Sequence, residues 1–472
     1  MSFRVAVLAP SAAVALVAIP VACGSYSSST GVGGGLGGGV PSSAQAGAAG
    51  SGATSGMATV GGSSSAGAPA SAGASDGAAG GLAAGGAIGA GGALGAGGAV
   101  GVGGAVGTGG ALGTAGAVST GGAVGAGGGS SVSLPCDVLK NGGSTCVSAH
   151  SSVRVIVPGY SGPLYQLCKG TAAAGPSSCK GTAQDVGSKD GYADVAAHDA
   201  FCSAGGCTIT KIYDQSGQKN DLEPAPRGGA KGTPDNPADA GALKVTLNGH
   251  SAYGILIKPG VGYRTGCSGC TVKTGNGMVK GDEPETMYWV TSQKDLVDGC
   301  CFDYGNAETT SNDDGNGTME TLYFGGGVVW GTGAGGKPGP WMMADLENGL
   351  YAGWENEQDK NISTNKPLKY DFVTGVLLGD TKDKNSGKGR FAIFGGDATG
   401  GMLQTMYDGV RPNKKGYVPM TKQGSIILGI GGDNSGGAGG RFYEGAVSVG
   451  PVISKQTVDS LQAAIVAAKY GK

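Results

Sequence analysis

A stretch that cannot build a core sets the limits on what this chain can fold into. From about Gly24 to Ser133 it is nearly all Gly, Ala, Ser, Thr and Val. A six-residue repeat runs within it: "GGAIGA", "GGALGA", "GGAVGV", "GGAVGT", "GGALGT", "AGAVST", "GGAVGA". Hexad repeats can build β-solenoids. Solenoid coils need bulky residues, and each hexad offers one Ile, Leu or Val among glycines. Such a segment cannot bury enough apolar surface to offset its chain entropy. A disordered, flexible spacer is the better reading, and its physical role is reach.

The residues ahead of the spacer read as an export signal. Arg4 gives a positive start, "VAVLAPSAAVALVAIPVA" an apolar stretch, and "CGSYSSS" follows. An uncleaved membrane anchor is the alternative, weakened by Pro10, Ser11 and Pro20. The "PVAC" ending at Cys23 resembles a bacterial lipoprotein cleavage box, although Pro20 fits that pattern poorly. A lipid anchor at Cys23 and simple cleavage both stay open. In either case the rest of the chain is expected outside the cell, secreted or anchored at the cell surface.

The composition changes at "SLPCDVL", near Pro135, where aromatics, charges and cysteines begin. The expected division is 1–23 signal, 24–133 spacer and 134–472 folded domain. About 340 residues remain, large but acceptable for one β-rich domain. Their pattern is strands broken by Gly, Asn and Asp turns. Candidates include "CTITKIYDQ", "YGILIK", "TMYWVTS", "TLYFGG", "WMMADLE", "DFVTGVLLG", "RFAIFGG", "GSIILGIGG" and "RFYEGAVSVGPVI". Helical spacing is clear in "SKQTVDSLQAAIVAAKYGK", where Val458, Leu461 and Ile465 share a face. A shorter helix is expected through "GYADVAAHDAFCSA". The fold class is therefore all-β, a sandwich or barrel with few short helices.

Charge is nearly balanced, with 32 basic and 34 acidic residues. That argues against a nucleic-acid partner, which would require a basic face, and leaves neutral ligands such as sugars open. Setting Cys23 aside, ten cysteines remain: Cys136, Cys146, Cys168, Cys179, Cys202, Cys207, Cys267, Cys270, Cys300 and Cys301. An even number in close pairs on an exported chain suggests disulfides. "CSGC" at Cys267–Cys270 also has zinc-knuckle spacing, but a zinc site would want a second such pair or nearby histidines. His150, His198 and His250 are scattered. Adjacent Cys300 and Cys301 leave three readings: two halves of different bridges, one ring, or two thiols. Neighbouring Cα atoms lie about 3.8 Å apart across a trans peptide, whereas disulfides usually want about 4.4 Å or more.

No histidine sits in a serine-triad pattern, and no Gly-rich phosphate loop precedes a helix. Carboxylates at strand ends are the better lead. In "WMMADLENG", Asp345 and Glu347 are two apart, and on a strand they would share one face. The plainer reading is an edge strand with its polar face in water. A third acid, Asp433, is delivered by the apolar strand of "SIILGIGGDNSGG" into a Gly-flanked turn. Two such acids could supply an acid/base and a nucleophile for glycosidic cleavage. Trp330, in "GGGVVWGTG", could wall one sugar face or be an ordinary half-buried aromatic.

At these residues the sequence resembles the catalytic domain of glycoside hydrolase family 54, the α-L-arabinofuranosidases. The likeness runs from about Leu134 to Tyr470. It is carried by "PCDVLKNGGSTCVSAHSSVR", "FCSAGGCTITKIYDQSGQKNDL", "CCFDYGNAET", "GPWMMADLENGLYAG" and "IILGIGGDNSGGAGGRFYEG". The resemblance implies a β-sandwich and a retaining mechanism without a cofactor or metal. Glu347 would then be the nucleophile and Asp433 the general acid/base, about 5 Å apart. Burial and the charge of Glu347 would raise the pKa of Asp433. Asp345, Asn348 and the backbone of Gly432 would contact arabinose, and Trp330 would line the pocket. Gly349 stands where relatives often have a second Asn, so one sugar contact is either lost or made by backbone.

The resemblance also implies that Cys300 and Cys301 form one ring on the pocket floor, and that Cys136–Cys146 and Cys202–Cys207 pair. Cys168–Cys179 and Cys267–Cys270 follow only from proximity. The expected substrate is an arabinose-bearing polysaccharide or oligosaccharide, such as arabinoxylan or arabinan, and the expected protein is a monomer. Fungal relatives usually carry a C-terminal arabinose-binding module, and without one, binding to insoluble arabinoxylan is expected to weaken. The rival readings are a non-catalytic carbohydrate-binding surface domain and a structural surface protein. Turnover of a nitrophenyl α-L-arabinofuranoside separates them.

Overall fold

The strand Glu285–Thr291 reads ETMYWVT and is buried at every position. A strand that alternates polar and apolar residues faces water on one side, whereas one without alternation must be covered on both. The computed structural model shows both covers. It describes residues 133–472 apart from 204, 269–270, 327–330, 333–338, 352–365, 381–389 and 413–414. The expectations for the export signal, Cys23, the spacer, Trp330 and Cys270, with the Cys267–Cys270 pair, lie outside the described residues.

Glu285–Thr291 lies inside a six-stranded antiparallel sheet. Its order is Thr145–Ser151, Glu444–Val449, Glu285–Thr291, Val373–Gly379, Arg390–Asp397, Gln404–Val410. Successive side chains point to opposite faces. Met287, Trp289, Leu377 and Ile393 pack against Tyr304, Leu322, Phe324 and Met342 of a second, larger sheet. Tyr288, Val290, Val376 and Phe394 pack the other way, against Leu139, Val458, Leu461 and Ile465 of two helices. The chain is thus mostly β, two antiparallel sheets face to face with short helices outside, as the strand pattern implied.

Among the described residues three helices carry that outer cover and one edge. α1, Pro135–Asn141, begins on a proline, which suits the first helical position because no N–H is lost there. The sequence reading missed it. α2 spans Val195–Cys202 and is capped by Asp194, whose carboxylate accepts from Ala197 N at 3.1 Å. α3 spans Lys455–Val466, with Ser454 Oγ accepting from Thr457 N at 3.1 Å. Such a cap contributes about 1 kcal/mol. The three apolar residues picked out by helical spacing are all buried, each contributing about 1.5–3 kcal/mol.

Disulfides join Cys136 to Cys146, Cys168 to Cys179, Cys202 to Cys207 and Cys300 to Cys301. The first ties α1 to the Thr145–Ser151 strand. The last joins neighbours across a cis peptide, with Cα atoms 3.0 Å apart. The 3.8 Å figure assumed a trans peptide.

The second sheet positions the site. From one end of its path run Gly331–Thr332, Leu350–Tyr351, Trp341–Asp345, Glu320–Gly325, Asp303–Ala307, Ser425–Leu428 and Tyr263–Thr265. Register pairs Asp303 with Tyr323 and Tyr323 with Met343, and pairs Thr321 with Asp345. These residues share the face turned away from the core. There Tyr323, Trp341, Met343 and Leu350 pack with Cys301.

Lys422 locks the two sheets together just before the Ser425–Leu428 strand. It is fully buried, with Nζ 2.9 Å from Glu285 Oε1 on one sheet and 2.8 Å from Glu320 Oε2 on the other. It also donates to Glu283 O at 2.8 Å. Lys422→Met would remove the cation that bridges two buried carboxyls, Glu285 and Glu320. Removing one partner of a buried ion pair costs about 3–5 kcal/mol, so urea denaturation should show a loss of that order.

Candidate active site

Asp345 ends its strand, and the chain then turns sharply. Glu347 and Asn348 both take left-handed backbone, at φ 65° and 58°. Non-glycine residues rarely do so, and such positions cluster at functional sites. Glu347 is therefore not on the strand face of Asp345, as the two-residue spacing suggested. The turn brings it back. Glu347 N donates to Asp345 Oδ1 at 2.9 Å, and Tyr417 OH donates to Glu347 O at 2.8 Å.

Asp433 sits on a second turn, after the Ser425–Leu428 strand. Gly431 N donates to Ser435 O at 2.9 Å, and Ser435 N donates to Asp433 Oδ1 at 2.9 Å. Arg264, wholly buried, clamps this turn. Its Nη1 donates to Gly432 O at 2.9 Å, to Ser311 Oγ at 3.1 Å and to Asn434 Oδ1. Its Nη2 donates to the backbone oxygen of Glu308.

The two turns and the Cys–Cys ring line one cavity of about 190 Å³. It brings together Cys300, Cys301, Asp345, Glu347, Asn348, Gly349, Gly432 and Asp433. Cys301 Sγ lies 3.6 Å from Asp345 Oδ2, and Cys300 Sγ 3.2 Å from Ser435 Oγ. Glu347 is buried and Asp433 half-buried. Asn348 is exposed at the rim, its Nδ2 donating to Asp313 Oδ1 at 3.1 Å. Trp330 is the one predicted site residue outside the described set.

Sequence reasoning missed Asp313, Leu350, Gly431 and Ser435 in the lining, and Asp303, Glu308 and Arg264 behind it. "CCFDYGNAET" holds both hidden acids among apolar strand residues, and that was the available signal.

Gly432 is the tightest point. A Cβ there would overlap the carboxyl of Glu308. Gly432→Ala must displace either the turn or that buried acid. Overpacking of this kind costs about 1–3 kcal/mol, readable as a lowered denaturation midpoint.

Crowded acids dominate the electrostatics. Burial, then the charges of Glu308 and Asp433, push Asp345 up to about 7, against the hydrogen bond from Glu347 N. Burial and the charge of Asp345 hold Asp303 well above the usual carboxylate range. Burial, then the charges of Glu308 and Asp345, do the same to Glu347. Burial lowers Arg264 to about 10 in spite of Glu308, Asp433 and Glu347 around it. One-atom donors from Cys301, Asp303 and Asp345 lie within 4.8 Å of one another. That spacing could suit a cation, but a sulfur held in a disulfide offers no thiolate. The geometry is that of a small pocket rich in carboxyls, with two acids carried on separate turns.

A sequence profile described as "Alpha-L-arabinofuranosidase B, catalytic" matches residues 135–471. The chain belongs to the α-L-arabinofuranosidase B catalytic family. Over 345 residues it is 47% identical to a probable α-L-arabinofuranosidase B of Aspergillus fumigatus, covering 72% of this chain and 63% of that protein. An α-L-arabinofuranosidase of Hypocrea jecorina is 47% identical over 344 residues, 71% of this chain and 63% of the relative. The chain thus spans less than two thirds of the length of these arabinofuranosidases.

Among solved structures, an arabinofuranosidase complexed with arabinofuranosyl-α-1,2-xylobiose is 43% identical, with a TM-score of 0.64 over 72% of this chain and 66% of that one. A family 54 α-L-arabinofuranosidase soaked with a cyclic sulfate inhibitor is 42% identical, with a TM-score of 0.63 over 71% and 66%.

Proposed function

We propose that this chain is an exo-acting, retaining α-L-arabinofuranosidase that releases terminal arabinofuranose from arabinoxylan-type or arabinan-type substrates. The observation that carries the reading is the convergence of Asp345, Glu347 and Asp433 with the Cys300–Cys301 ring on one small cavity. Family membership and the arabinofuranosyl-xylobiose bound by a 43% identical structure support the substrate class. The disulfides suit an exported protein.

In the first step Glu347, as carboxylate, attacks the anomeric carbon. Asp433 gives its proton to the departing glycosidic oxygen. The product is an arabinosyl ester on Glu347. In the second step Asp433 takes a proton from water, the water attacks the same carbon, and the Glu347 carboxylate leaves. Two inversions give net retention. Asp345 accepts hydrogen bonds from sugar hydroxyls while the Glu347 N–H fixes its orientation. The disulfide ring presents an apolar floor with no competing donor.

The test is release of nitrophenol from a nitrophenyl α-L-arabinofuranoside, with the anomer of the first-formed sugar read by NMR. Turnover with retained configuration supports the reading. Binding of arabinose without any turnover establishes the non-catalytic sugar-binding alternative.

A further inference from the structure

The double-displacement scheme uses Asp433, Glu347 and Asp345 and leaves Glu308 without a task. Glu308 is wholly buried. Thr318 Oγ1 donates to its Oε1 at 2.6 Å. Its other oxygen, Oε2, has no N–H or O–H partner among the described residues. A buried oxygen left in that state costs about 1–3 kcal/mol.

Two neighbours meet that carboxyl. One is the Cα of Gly432, whose missing side chain makes room for Oε2. The other is the Glu347 carboxyl, with which Glu308 hydrogen-bonds. Two ionised carboxylates are both pure acceptors, so a hydrogen bond between them needs a proton on one.

We propose that Glu308 is a positioning residue that shares a single proton with Glu347 and holds it while Glu347 attacks the sugar. The inference rests on Glu347 as the nucleophile. In the free site the proton lies on Glu347 and is donated to the Glu308 carboxylate. On substrate binding it crosses the existing hydrogen bond. Glu347 becomes the carboxylate, Glu308 becomes the acid, and the pair keeps one negative charge until the ester forms, when that charge passes to Asp433.

Glu308 then donates to the Glu347 oxygen that does not attack. That oxygen becomes the carbonyl of the arabinosyl ester and keeps its donor. When water opens the ester, the carboxylate departs into the same hydrogen bond. The charged groups facing the pair are Asp303, Asp345, Asp313, Asp433 and Arg264. Four acids against one cation favour retention of a proton. Both members are displaced above the ordinary carboxylate range, burial being the first cause for each.

The experiment is a carbon-13 NMR titration of the full chain labelled at the glutamate side-chain carboxyl carbon, which needs no turnover. Glu347→Gln and Glu308→Gln assign the two signals. In the unmodified protein the two carbons are expected to titrate in linked steps. In Glu308→Gln the Glu347 signal should titrate lower by about one pH unit or more, since a like charge has gone. The acid limb of kcat/KM should change position in Glu308→Gln, because it reports a second proton entering the pair in the unmodified protein and Glu347 alone in the variant. A Glu347 titration unmoved in Glu308→Gln overturns the proposal. So do two independent single titrations in the unmodified protein, which decides the matter if the variant fails to fold. Absence of turnover in the unmodified protein would defeat the arabinofuranosidase reading instead, and the titration would still report on the pair.

Discussion

Glu347→Gln is expected to lower kcat on a nitrophenyl α-L-arabinofuranoside by about 10⁴-fold or more, equivalent to about 5 kcal/mol of transition-state stabilisation. Glutamine fills the same space, so the left-handed turn should survive, with its N–H bond to Asp345 and the bond its carbonyl accepts from Tyr417. What is lost is the oxygen able to form the ester. Its amide can still donate to Glu308, so no buried charge is stranded. Arabinose binding, measured by calorimetry, should therefore persist while turnover disappears. Normal turnover by this variant would sink the assignment of Glu347 as nucleophile.

Asp433→Asn acts on both steps, and its effect depends on the leaving group. A xylo-oligosaccharide leaves poorly without a proton, so loss of a positioned acid there should cost about 10²–10⁴-fold in kcat/KM. Nitrophenolate leaves without help, so kcat/KM on the aryl substrate should fall far less. The arabinosyl ester then accumulates, because water lacks a base. Azide needs none: it attacks the anomeric carbon of the ester, the Glu347 carboxylate leaves, and arabinosyl azide forms with the substrate's configuration. Azide should restore kcat on the aryl arabinoside. Equal losses on both substrates with no azide effect would remove Asp433 from the acid/base role. Ser435 N, which donates to Asp433 Oδ1 at 2.9 Å, holds the carboxylate in the unmodified protein and would meet either the amide oxygen or its NH2 in the variant.

Much of the fold was legible. Val458, Leu461 and Ile465 marked α3 because helix spacing places them together and only a buried face keeps that pattern. Strands such as Glu285–Thr291 stood out by β-branched and aromatic residues, and their lack of alternation reflects cover on both faces. The site was legible in part. Asp345, Glu347 and Asp433 stood out as acids in apolar or glycine-rich surroundings. The shared strand face proposed for Asp345 and Glu347 was not correct, because period-two reasoning holds only while the strand lasts, and it ends at Asp345. Asp303 and Glu308 went unread since a buried acid in a strand or just past its end looks, residue by residue, like a solvated one.

The sequence by itself determined where the described core starts. Aromatics, charges and cysteines begin near Pro135, and the buried residues of the described fold begin there too. It also determined the local elements, since spacing, turn residues and caps act over a few neighbours. Only the tertiary structure decided which acids meet. Asp433 lies 86 residues beyond Glu347 in the chain numbering, and Arg264 and Glu308 come from two further segments. Their separations, and the dielectric that holds a proton between two carboxyls, are set by how two sheets pack. No short window of sequence contains that information.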